Sequence, residues 1–436
     1  MKKIFSLLFI ITISVFSQKA LLQSGPMLGP TEMRETMLWV QTTKAAQVKF
    51  AYWDKEKPKD KYETKTALTK EEDGFTATLI ADKVEPGRIY NYKLYINNKP
   101  VDLPYRNEFK TLKLWQWRED PPEINFVTGS CAYVNEPVYD RPGKGYGSDY
   151  EIFTAIYEKK PDFMVWLGDN YYLREVDWNT RSGMIKRATH TRSLPELQPV
   201  WGTVHQYGTW DDHDYGPNNS DMGFIHKFKA LEVFKLFFPM NSYGINGKPG
   251  LTTSFEWGDC EFFMLDNRFY RTPNDRKTGY RGIFGEEQIE WLINALVSSN
   301  ATFKFIISGG QVLNPVAKYE NYSTYPEEQQ KLLSLLKAEN IPGVIFLSGD
   351  RHHSELTKME REGTYPLYDF TASSFTAGIF TQPEDNEWRV GEVIKKHNFL
   401  HINVSGKRKD RVLKCTYYDK DGKEISVFTL KAADLK

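Results

Sequence analysis

The sequence FMVWLGDNYY, residues 163–172, shows the pattern from which the fold of most of this chain is predicted. It begins with an apolar, strand-like run and ends in a polar cluster that contains Asp169 and Tyr172. Runs of this kind alternate along the chain with helical patterns, such as residues 286–296 and 327–338, whose apolar side chains recur on one face. The alternation predicts a layered α/β domain.

Three further strand-like runs end in polar clusters instead of plain loops. The clusters are Gly129-Ser130-Cys131, Asp211-Asp212-His213-Asp214 and Gly349-Asp350-Arg351-His352-His353. Because the carboxyl ends of neighbouring strands converge on one crevice in α/β folds, we expect all four clusters to meet. One site would then contain carboxylates, imidazoles, a phenol and a thiol.

Bound cations explain such a site, because so many ionisable groups cannot lie unpaired in a low-dielectric cleft. The mixture of oxygen, nitrogen and thiolate donors favours a transition metal beside a harder, oxygen-preferring ion. A structural zinc site would use several Cys or His ligands. The ordinary alternatives are a packed aromatic for Tyr172 and a turn or helix cap for Gly168-Asp169.

The N-terminal part of the chain has a different pattern. From about residue 21 to 114, short alternating runs such as residues 90–96 are separated by turn signals, which is typical of a β-sandwich. Residues 84–92 resemble the turn and tyrosine corner of fibronectin-type and immunoglobulin-like modules. The polar stretch over residues 115–123 is typical of a linker.

These patterns predict a signal peptide over residues 1–17, a small accessory β-sandwich over 19–116 and the α/β domain over 123–436. Two lysines precede an apolar run over residues 4–16, which is shorter than the about 20 residues needed to cross a bilayer. We expect cleavage after Ser17, with a buried first strand as the alternative. The predicted location is periplasmic or extracellular, with no transmembrane segment after cleavage.

Charge and cysteine content argue against two classes of protein. Lys plus Arg, 57, balance Asp plus Glu, 57, and no basic stripe occurs, which argues against sequence-specific nucleic-acid binding. Three cysteines are too few for a disulfide framework in an exported chain of 436 residues. Cys260 and Cys415 either pair or are buried thiols. Cys131 belongs to a polar cluster or, alternatively, is a small buried residue.

In their order along the chain, the strand-end clusters resemble the motifs of the PhoD family of calcineurin-like metallophosphatases. LDNRFYR, residues 265–271, and GEEQIEWL, residues 285–292, resemble further blocks of that family. The resemblance extends from about Ile124 to the C-terminus, and a preceding sandwich is usual there. It implies a layered metallophosphatase-like βαβ sandwich preceded by the small immunoglobulin- or fibronectin-like β-sandwich.

The resemblance also implies an activity. The protein would be an exported, alkaline phosphatase-like phosphoesterase that hydrolyses phosphomonoesters, phosphodiesters or both by attack of a metal-bound hydroxide. Its partners would be small phosphoesters, among them phospholipid or nucleotide esters. Two alternatives stay open: a glycan- or partner-binding exported protein with a vestigial metallophosphatase domain, and a metal-dependent hydrolase of another ester type.

Six metal ligands are implied position by position: Cys131, Asp169, Tyr172, Asp212, Asp350 and His352. In the family, Asp169 would bridge two sites, Fe³⁺ would take the thiol, the phenolate and the imidazole, and Ca²⁺ would take the other two carboxylates. Zn²⁺ or Mn²⁺ are less favoured. The wider superfamily has a histidine ligand where this chain reads IISGGQ, residues 306–311. The candidates to replace it are Gln311, Asn314, Asn218 and Asn219.

The candidate catalytic residues are His213 and Asp214. His213, hydrogen-bonded to Asp214, would contact the phosphoryl oxygens and protonate the leaving alkoxide. Arg268 or Arg271 would bind the substrate phosphate through a planar guanidinium fork, or would form a structural salt bridge instead. Asp211 is expected to support the ligands or to be structural.

Overall fold

The computed structural model describes residues 20–436, so the predicted signal peptide, residues 1–17, lies outside the described residues. The chain divides into two compact units. The first comprises the residues up to Leu114 with Ala188–Gln206 and Lys235–Pro239, and the second comprises Trp115–Arg187, Tyr207–Phe234 and Met240–Lys436. Among the described residues, no helix is both long and apolar enough to cross a membrane.

Short strands build most of the first unit: β1 (Leu22–Thr31), β2 (Thr36–Thr42), β3 (Gln47–Asp54), β4 (Lys61–Glu63), β5 (Ala67–Leu68), β6 (Thr76–Ala81), β7 (Ile89–Ile96), β8 (Lys99–Pro100) and β9 (Glu108–Lys110). One sheet has the order β1-β2-β6, and a second has the order β4-β3-β7-β8, with β5 beside β3 and β9 beside β7. Every second residue of β7 is buried, as expected of a strand with one face on a core. Side chains from both sheets share one buried apolar cluster, which includes Leu38, Val40, Phe50 and Leu94.

The helices are α1 (Glu151–Glu158), α2 (Arg181–Arg192), α3 (Leu197–Thr203), α4 (Asp212–Tyr215), α5 (Lys227–Phe237), α6 (Glu286–Ser298) and α7 (Pro326–Ala338), with 3₁₀ turns at Glu71–Asp73, Tyr322–Thr324 and Ala432–Asp434. The two predicted helical patterns correspond to α6 and α7. Helix α7 begins at Pro326, whose fixed φ and missing N–H suit a first helical turn. Helix α3 belongs to the first unit, where the Tyr92 hydroxyl donates a hydrogen bond to the Gly202 carbonyl at 2.7 Å. The sequence pattern did not indicate this insertion.

The second unit is built on longer sheets, and it includes β12 from Tyr207 onward. The strands of these sheets are β10 (Ile124–Gly129), β11 (Phe163–Leu167), β12 (His205–Thr209), β13 (Thr253–Trp257), β14 (Cys260–Met264), β15 (Phe303–Ser308), β16 (Val344–Ser348), β17 (Ser354–Met359), β18 (Leu367–Thr371), β19 (Arg389–Ile394), β20 (Asn398–Ser405), β21 (Val412–Asp419) and β22 (Glu424–Lys431). One sheet has the order β12-β11-β10-β20-β21-β22 and the other β13-β14-β15-β16-β18-β17-β19. The Phe126 ring in β10 lies 5.2 Å from that of Phe262 in β14 and 5.4 Å from that of Phe305 in β15. The two sheets therefore pack face to face over an aromatic core.

Parallel pairing places the candidate residues at the carboxyl ends of strands. β10 and β11 are parallel, and so are β15 and β16. Cys131, Asp169 and Asp350 follow β10, β11 and β16, and all three have a left-handed backbone, with φ of 62°, 51° and 68°. Such a backbone is uncommon for residues other than glycine and concentrates at functional sites. The strand ends therefore have the geometry of a site as well as its residue types.

The three cysteines are all buried, and none forms a disulfide. Of the two alternatives for Cys260 and Cys415, the structure therefore has separate buried thiols. Burial raises the pKa of the Cys260 thiol well above its ordinary value, which keeps it protonated and unreactive.

Candidate metal centre

Asp169 is the centre of the site that the strand ends create. Its side chain is buried, and its Oδ2 accepts a hydrogen bond from the Tyr172 hydroxyl at 2.9 Å. The Cys131 thiol donates to the same oxygen at 3.6 Å, and the backbone N–H of His213 donates to Oδ1 at 3.2 Å. The two carboxylate oxygens therefore face different groups, as those of a bridging carboxylate would.

One group of donors lies on the Oδ2 side of Asp169. Ligand atoms of Cys131, Asp169 and His352 lie within 4.8 Å of one another, and the Tyr172 hydroxyl lies 3.2 Å from His352 Nε2. His352 Nδ1 lies 2.6 Å from the Gly378 carbonyl, a contact that orients the ring with Nε2 toward the cluster. The structure thus brings together the four residues that the family resemblance placed around iron.

A second group of donors adjoins the first. Ligand atoms of Asp169, Asp212 and His213 lie within 4.8 Å of one another, and so do those of Asp211, Asp212 and Asp350. Asp169 is shared with the first group and Asp212 is shared between these two, so the donors are continuous across two adjoining sites. In the described part of the chain, Asp212 Oδ1 and Asp211 Oδ2 are buried without a hydrogen-bond partner.

Burial and neighbouring carboxylates raise the pKa values of Asp169 and Asp350. Burial raises the pKa of Asp169 well above its ordinary value, and the neighbouring Asp212 charge raises it further. Burial, with the charges of Asp211 and Asp212, raises the pKa of Asp350 to about 7. The pKa of Asp212 lies below its ordinary value, because the neighbouring His213 and Arg268 charges outweigh the effect of its burial. Burial lowers the pKa of His352, which favours the neutral imidazole that metals bind. Crowded carboxylates, unpaired buried oxygens and a neutral imidazole are a donor set that fits cations.

Comparisons with known proteins identify the family to which this site belongs. A family model described as PhoD-like phosphatase matches residues 126–410. The chain belongs to the PhoD-like phosphatase family. The resemblance drawn from the motifs is therefore confirmed. Residues 19–114 match a second model, described as a domain of unknown function (DUF7800).

Individual relatives of this chain agree with the family assignment. Alkaline phosphatase D of Bacillus subtilis (strain 168) is 23% identical over 325 residues, which cover 63% of this chain and 52% of the relative. The chain therefore spans about half the length of that relative. A solved structure of PhoD has a TM-score of 0.77 at 18% identity, covering 96% of this chain and 92% of its own. Purple acid phosphatase PPD1 from yellow lupin (Lupinus luteus) seeds has a TM-score of 0.66 at 14% identity, covering 93% and 74%. The two structures confirm a mixed α/β, metallophosphatase-like fold.

The PhoD-like site differs from the prediction at Asp214. Its carboxylate accepts hydrogen bonds from the backbone N–H groups of Asn170, Tyr171 and Asp211, at 2.8, 3.3 and 3.0 Å. No hydrogen bond joins it to His213 within residues 20–436, and His213 Nδ1 has no partner there. The predicted hydrogen bond between the two side chains is wrong, because adjacent residues of helix α4 do not face each other.

Arg268 and Arg271 lie in buried ion pairs. Arg268 Nε is hydrogen-bonded to Asp211, and its Nη1 lies 2.9 Å from Glu320 Oε2. Arg271 Nη2 lies 2.9 Å from Glu320 Oε1. Both side chains are 1% exposed. The structure therefore favours the salt-bridge alternative for both arginines over the predicted phosphate clamp.

The four candidates for the missing donor fall into two places. Gln311 and Asn314 are hydrogen-bonded to each other at 2.9 Å in a separate buried polar network. The backbone N–H of Asn219 donates to Asp212 Oδ2 at 2.6 Å, and Asn218 Nδ2 donates to Asn219 Oδ1 at 2.7 Å. Asn218 and Asn219 are thus the two candidates that lie beside the second donor group.

A cavity of about 510 Å³ adjoins the centre, with Tyr172 and His213 in its wall. Arg174, Tyr146 and Trp178 also line it, and sequence reasoning missed all three. Arg174 is two residues beyond Tyr172, the end of the segment 163–172, so its closeness in sequence was an available signal. Tyr146 lies between β10 and α1 in a long loop, whose path no local pattern predicts.

Proposed function

We propose that this PhoD-like phosphatase is a metal-dependent phosphoesterase of the alkaline phosphatase type, acting on phosphomonoesters, phosphodiesters or both. The observation that supports it best is the convergence of strand-end carboxylates, imidazoles and a thiol in overlapping groups, each within 4.8 Å. Membership of the family supports the same class of reaction. A vestigial domain would have no need to keep all six predicted ligands, and all six are present.

The proposed cofactors are Fe³⁺ and Ca²⁺, with Zn²⁺ or Mn²⁺ less favoured. Cys131, Tyr172 and His352 would hold Fe³⁺, Asp212 and Asp350 would hold Ca²⁺, and the carboxylate between the two groups would bridge the ions. The support is chemical: thiol, phenol and imidazole lie on one side and oxygen donors on the other. When bound, the two cations would activate a water molecule and neutralise charge on the phosphoryl group.

His213 is proposed to contact the phosphoryl oxygens and to protonate the leaving alkoxide. Its ring stacks on Tyr172, with centroids 4.2 Å apart and planes 29° apart, and it lines the cavity. A ring held in this way can reach a substrate in the cavity without rearrangement. Asp214 is proposed to act as a positioning residue, since it binds the N–H groups of Asn170 and Tyr171 beside the central carboxylate.

The proposal is tested on purified mature protein by metal analysis, the visible spectrum and hydrolysis of an aryl phosphomonoester and diester over a range of pH. We expect iron and calcium, a tyrosinate-to-iron absorption band that is lost in Tyr172→Phe, and loss of hydrolysis in Asp169→Ala. Tyr171→Phe, which removes the adjacent buried hydroxyl, is the matched control and should keep the band. Metal-free protein, or variants that behave like the wild type, would contradict the proposal.

We propose further that residues 1–17 are removed on export to the periplasm or the cell exterior. Residues 19–116 would form the immunoglobulin- or fibronectin-like sandwich and residues 123–436 the metallophosphatase domain. The two sheets with a shared core support the sandwich. So does the Tyr90 hydroxyl, which accepts a hydrogen bond from the backbone N–H of Glu85 at 2.8 Å, as in a tyrosine corner. Phospholipid and nucleotide esters are the candidate substrates.

A further inference from the structure

The cavity beside His213 has a cationic wall that the proposed reaction does not use. We define the outer pocket as this cavity with Arg141, Lys144, Arg174 and Trp178 in its lining. We propose that the outer pocket binds a second anionic group, carried by the leaving group of the substrate. This inference rests on the proposed phosphoesterase function and adds the substrate class.

The outer pocket lies where a leaving group would extend. Tyr172 and His213 line the same cavity, so a phosphoryl group held near them has its substituents in this space. A volume of about 510 Å³ has room for a leaving group as well as the phosphoryl group. The side chains that line the cavity would therefore determine which leaving groups bind there.

The charge of the lining is predominantly positive. Among the described residues that line the cavity, Asp140 is the carboxylate, set against two arginines and a lysine. Asp140 is already engaged, since Oδ1 accepts a hydrogen bond from the Tyr133 hydroxyl at 2.6 Å and Oδ2 accepts one from the backbone N–H of Glu136 at 2.7 Å. Because the whole chain has formal net charge +0, this excess is local and not a general property of the surface.

Arg174 is the most buried of the three cations, and one of its donors makes no hydrogen bond to a described residue. The residue is 9% exposed, and its Nε has no hydrogen-bond partner within the described chain. Its Nε forms an ion pair with Oε2 of the exposed Glu175 at 3.6 Å, a distance longer than a hydrogen bond. A buried guanidinium N–H without an acceptor is costly, so a site that supplies an anion would relieve it.

Arg141 and Lys144 extend the positive wall outward to solvent. Both are exposed, and Arg141 forms only a surface ion pair with Glu175, at 3.4 Å. Exposed pairs of this kind contribute little, so a substrate anion can replace the partner at small cost. The alternative is a rim of solvated charges with no ligand. The two explanations differ in whether these side chains distinguish one leaving group from another.

The experiment uses two matched pairs of probes. Phenyl phosphate and 4-carboxyphenyl phosphate test hydrolysis, each also as its methyl diester, and phenylphosphonate and 4-carboxyphenylphosphonate test binding to the metal-loaded enzyme without turnover. We expect the wild type to favour the carboxylated member of each pair by about tenfold, through two screened charge contacts. Arg141→Ala with Lys144→Ala should reduce that preference to about twofold, and added salt should reduce it in the wild type.

Lys409→Ala, which removes an exposed charge outside the cavity lining, is the control and should keep the wild-type preference. Equal preference in the wild type and the double variant would overturn the inference. So would an equal loss for both members of a pair, because the cations would then serve the scissile phosphoryl group. A binding preference that depends on the two side chains, in a protein that hydrolyses neither ester, would support the anion site and contradict the phosphoesterase proposal.

Discussion

Two neighbouring clusters of buried charge in the second unit are balanced in opposite ways. In the arginine cluster, defined as Arg268, Arg271, Asp211 and Glu320, each guanidinium pairs with a carboxylate of the chain. In the metal cluster, defined as the six predicted ligands, the carboxylates form no ion pair with a lysine or arginine of the described residues, and their buried oxygens crowd together. The first cluster balances its charges within the chain, and the second has the donors that bound cations would balance.

Asp211 connects the two clusters. Its Oδ1 accepts hydrogen bonds from Arg268 and Asn267, while its Oδ2 is without a partner in the described chain and the residue belongs to a donor group with Asp212 and Asp350. Buried charge alone therefore does not identify a functional site. Loss of a residue from the arginine cluster should reduce stability, whereas loss from the metal cluster should remove activity and leave the metal-free fold intact.

The largest effect is expected for Asp169→Asn. Activity should fall by about 10³-fold or more, since the carboxylate proposed to bridge the two ions is lost, and bound metal should fall with it. In chelator, the variant should be at least as stable as the wild type, because burial and Asp212 already disfavour the charged form of Asp169. Steady-state kinetics, metal analysis and urea unfolding measure the three quantities. If the unfolding free energy of the metal-free variant were several kcal/mol below that of the metal-free wild type, the distinction between the clusters would be contradicted.

Arg268→Met should reverse this pattern. It leaves Asp211 without its arginine and Glu320 with Arg271 alone, and removing one partner of a buried ion pair costs about 3–5 kcal/mol of unfolding free energy. Urea unfolding of the metal-free protein measures the loss. Arg276→Met, at an exposed position, is the control and should stay within about 0.5 kcal/mol of the wild type. Equal stability of the two variants would show that the arginine cluster is not the structural one.

His213→Gln tests whether His213 contacts substrate or is itself a metal ligand. His213 lies in a donor group with Asp169 and Asp212, yet it also lines the cavity. If it contacts substrate, kcat should fall by about 10²-fold with unchanged metal content, and the shape of the pH–rate profile should change. Loss of metal from the variant would instead make His213 a ligand.

Asp214→Asn should have the smallest effect of the series. The side chain accepts three backbone N–H groups, and the amide keeps one acceptor oxygen for them, so we expect a loss of about 1–3 kcal/mol in unfolding free energy. Thermal unfolding of the metal-loaded protein measures it. A loss of catalysis larger than that of His213→Gln would show that Asp214 has a direct role in catalysis.

Sequence reasoning located the metal cluster because its residues follow strands directly. Cys131 and Asp169 follow neighbouring parallel strands of one sheet, and Asp350 follows a strand of the sheet packed against it. Each lies at the end of an apolar run, and the carboxyl ends of such strands converge on one crevice. The structure brings all six predicted ligands together. The same reasoning found the alternation of helices and strands, because periodicity is local to each segment.

Relations that depend on distant segments were not predictable in this way. The His213–Asp214 hydrogen bond was expected because the two residues are adjacent in sequence. The Asp214 carboxylate instead accepts a hydrogen bond from the backbone N–H of Asn170, a residue distant in sequence. Arg268 and Glu320 are separated by 52 positions in sequence, and no local pattern indicates that they form an ion pair. The outer pocket combines the loop before α1 with the segment after β11, so its charge appears only when both are placed.

Anomalous X-ray diffraction from crystals of the metal-loaded protein, collected on both sides of the iron absorption edge, tests whether the six predicted ligands hold iron and a second cation. We expect an edge-dependent peak in contact with Cys131 Sγ, Tyr172 Oη, His352 Nε2 and Asp169, and a second, edge-independent density beside Asp212 and Asp350. Absence of metal density among these six side chains, with the carboxylates paired instead to protons or to one another, would contradict this expectation.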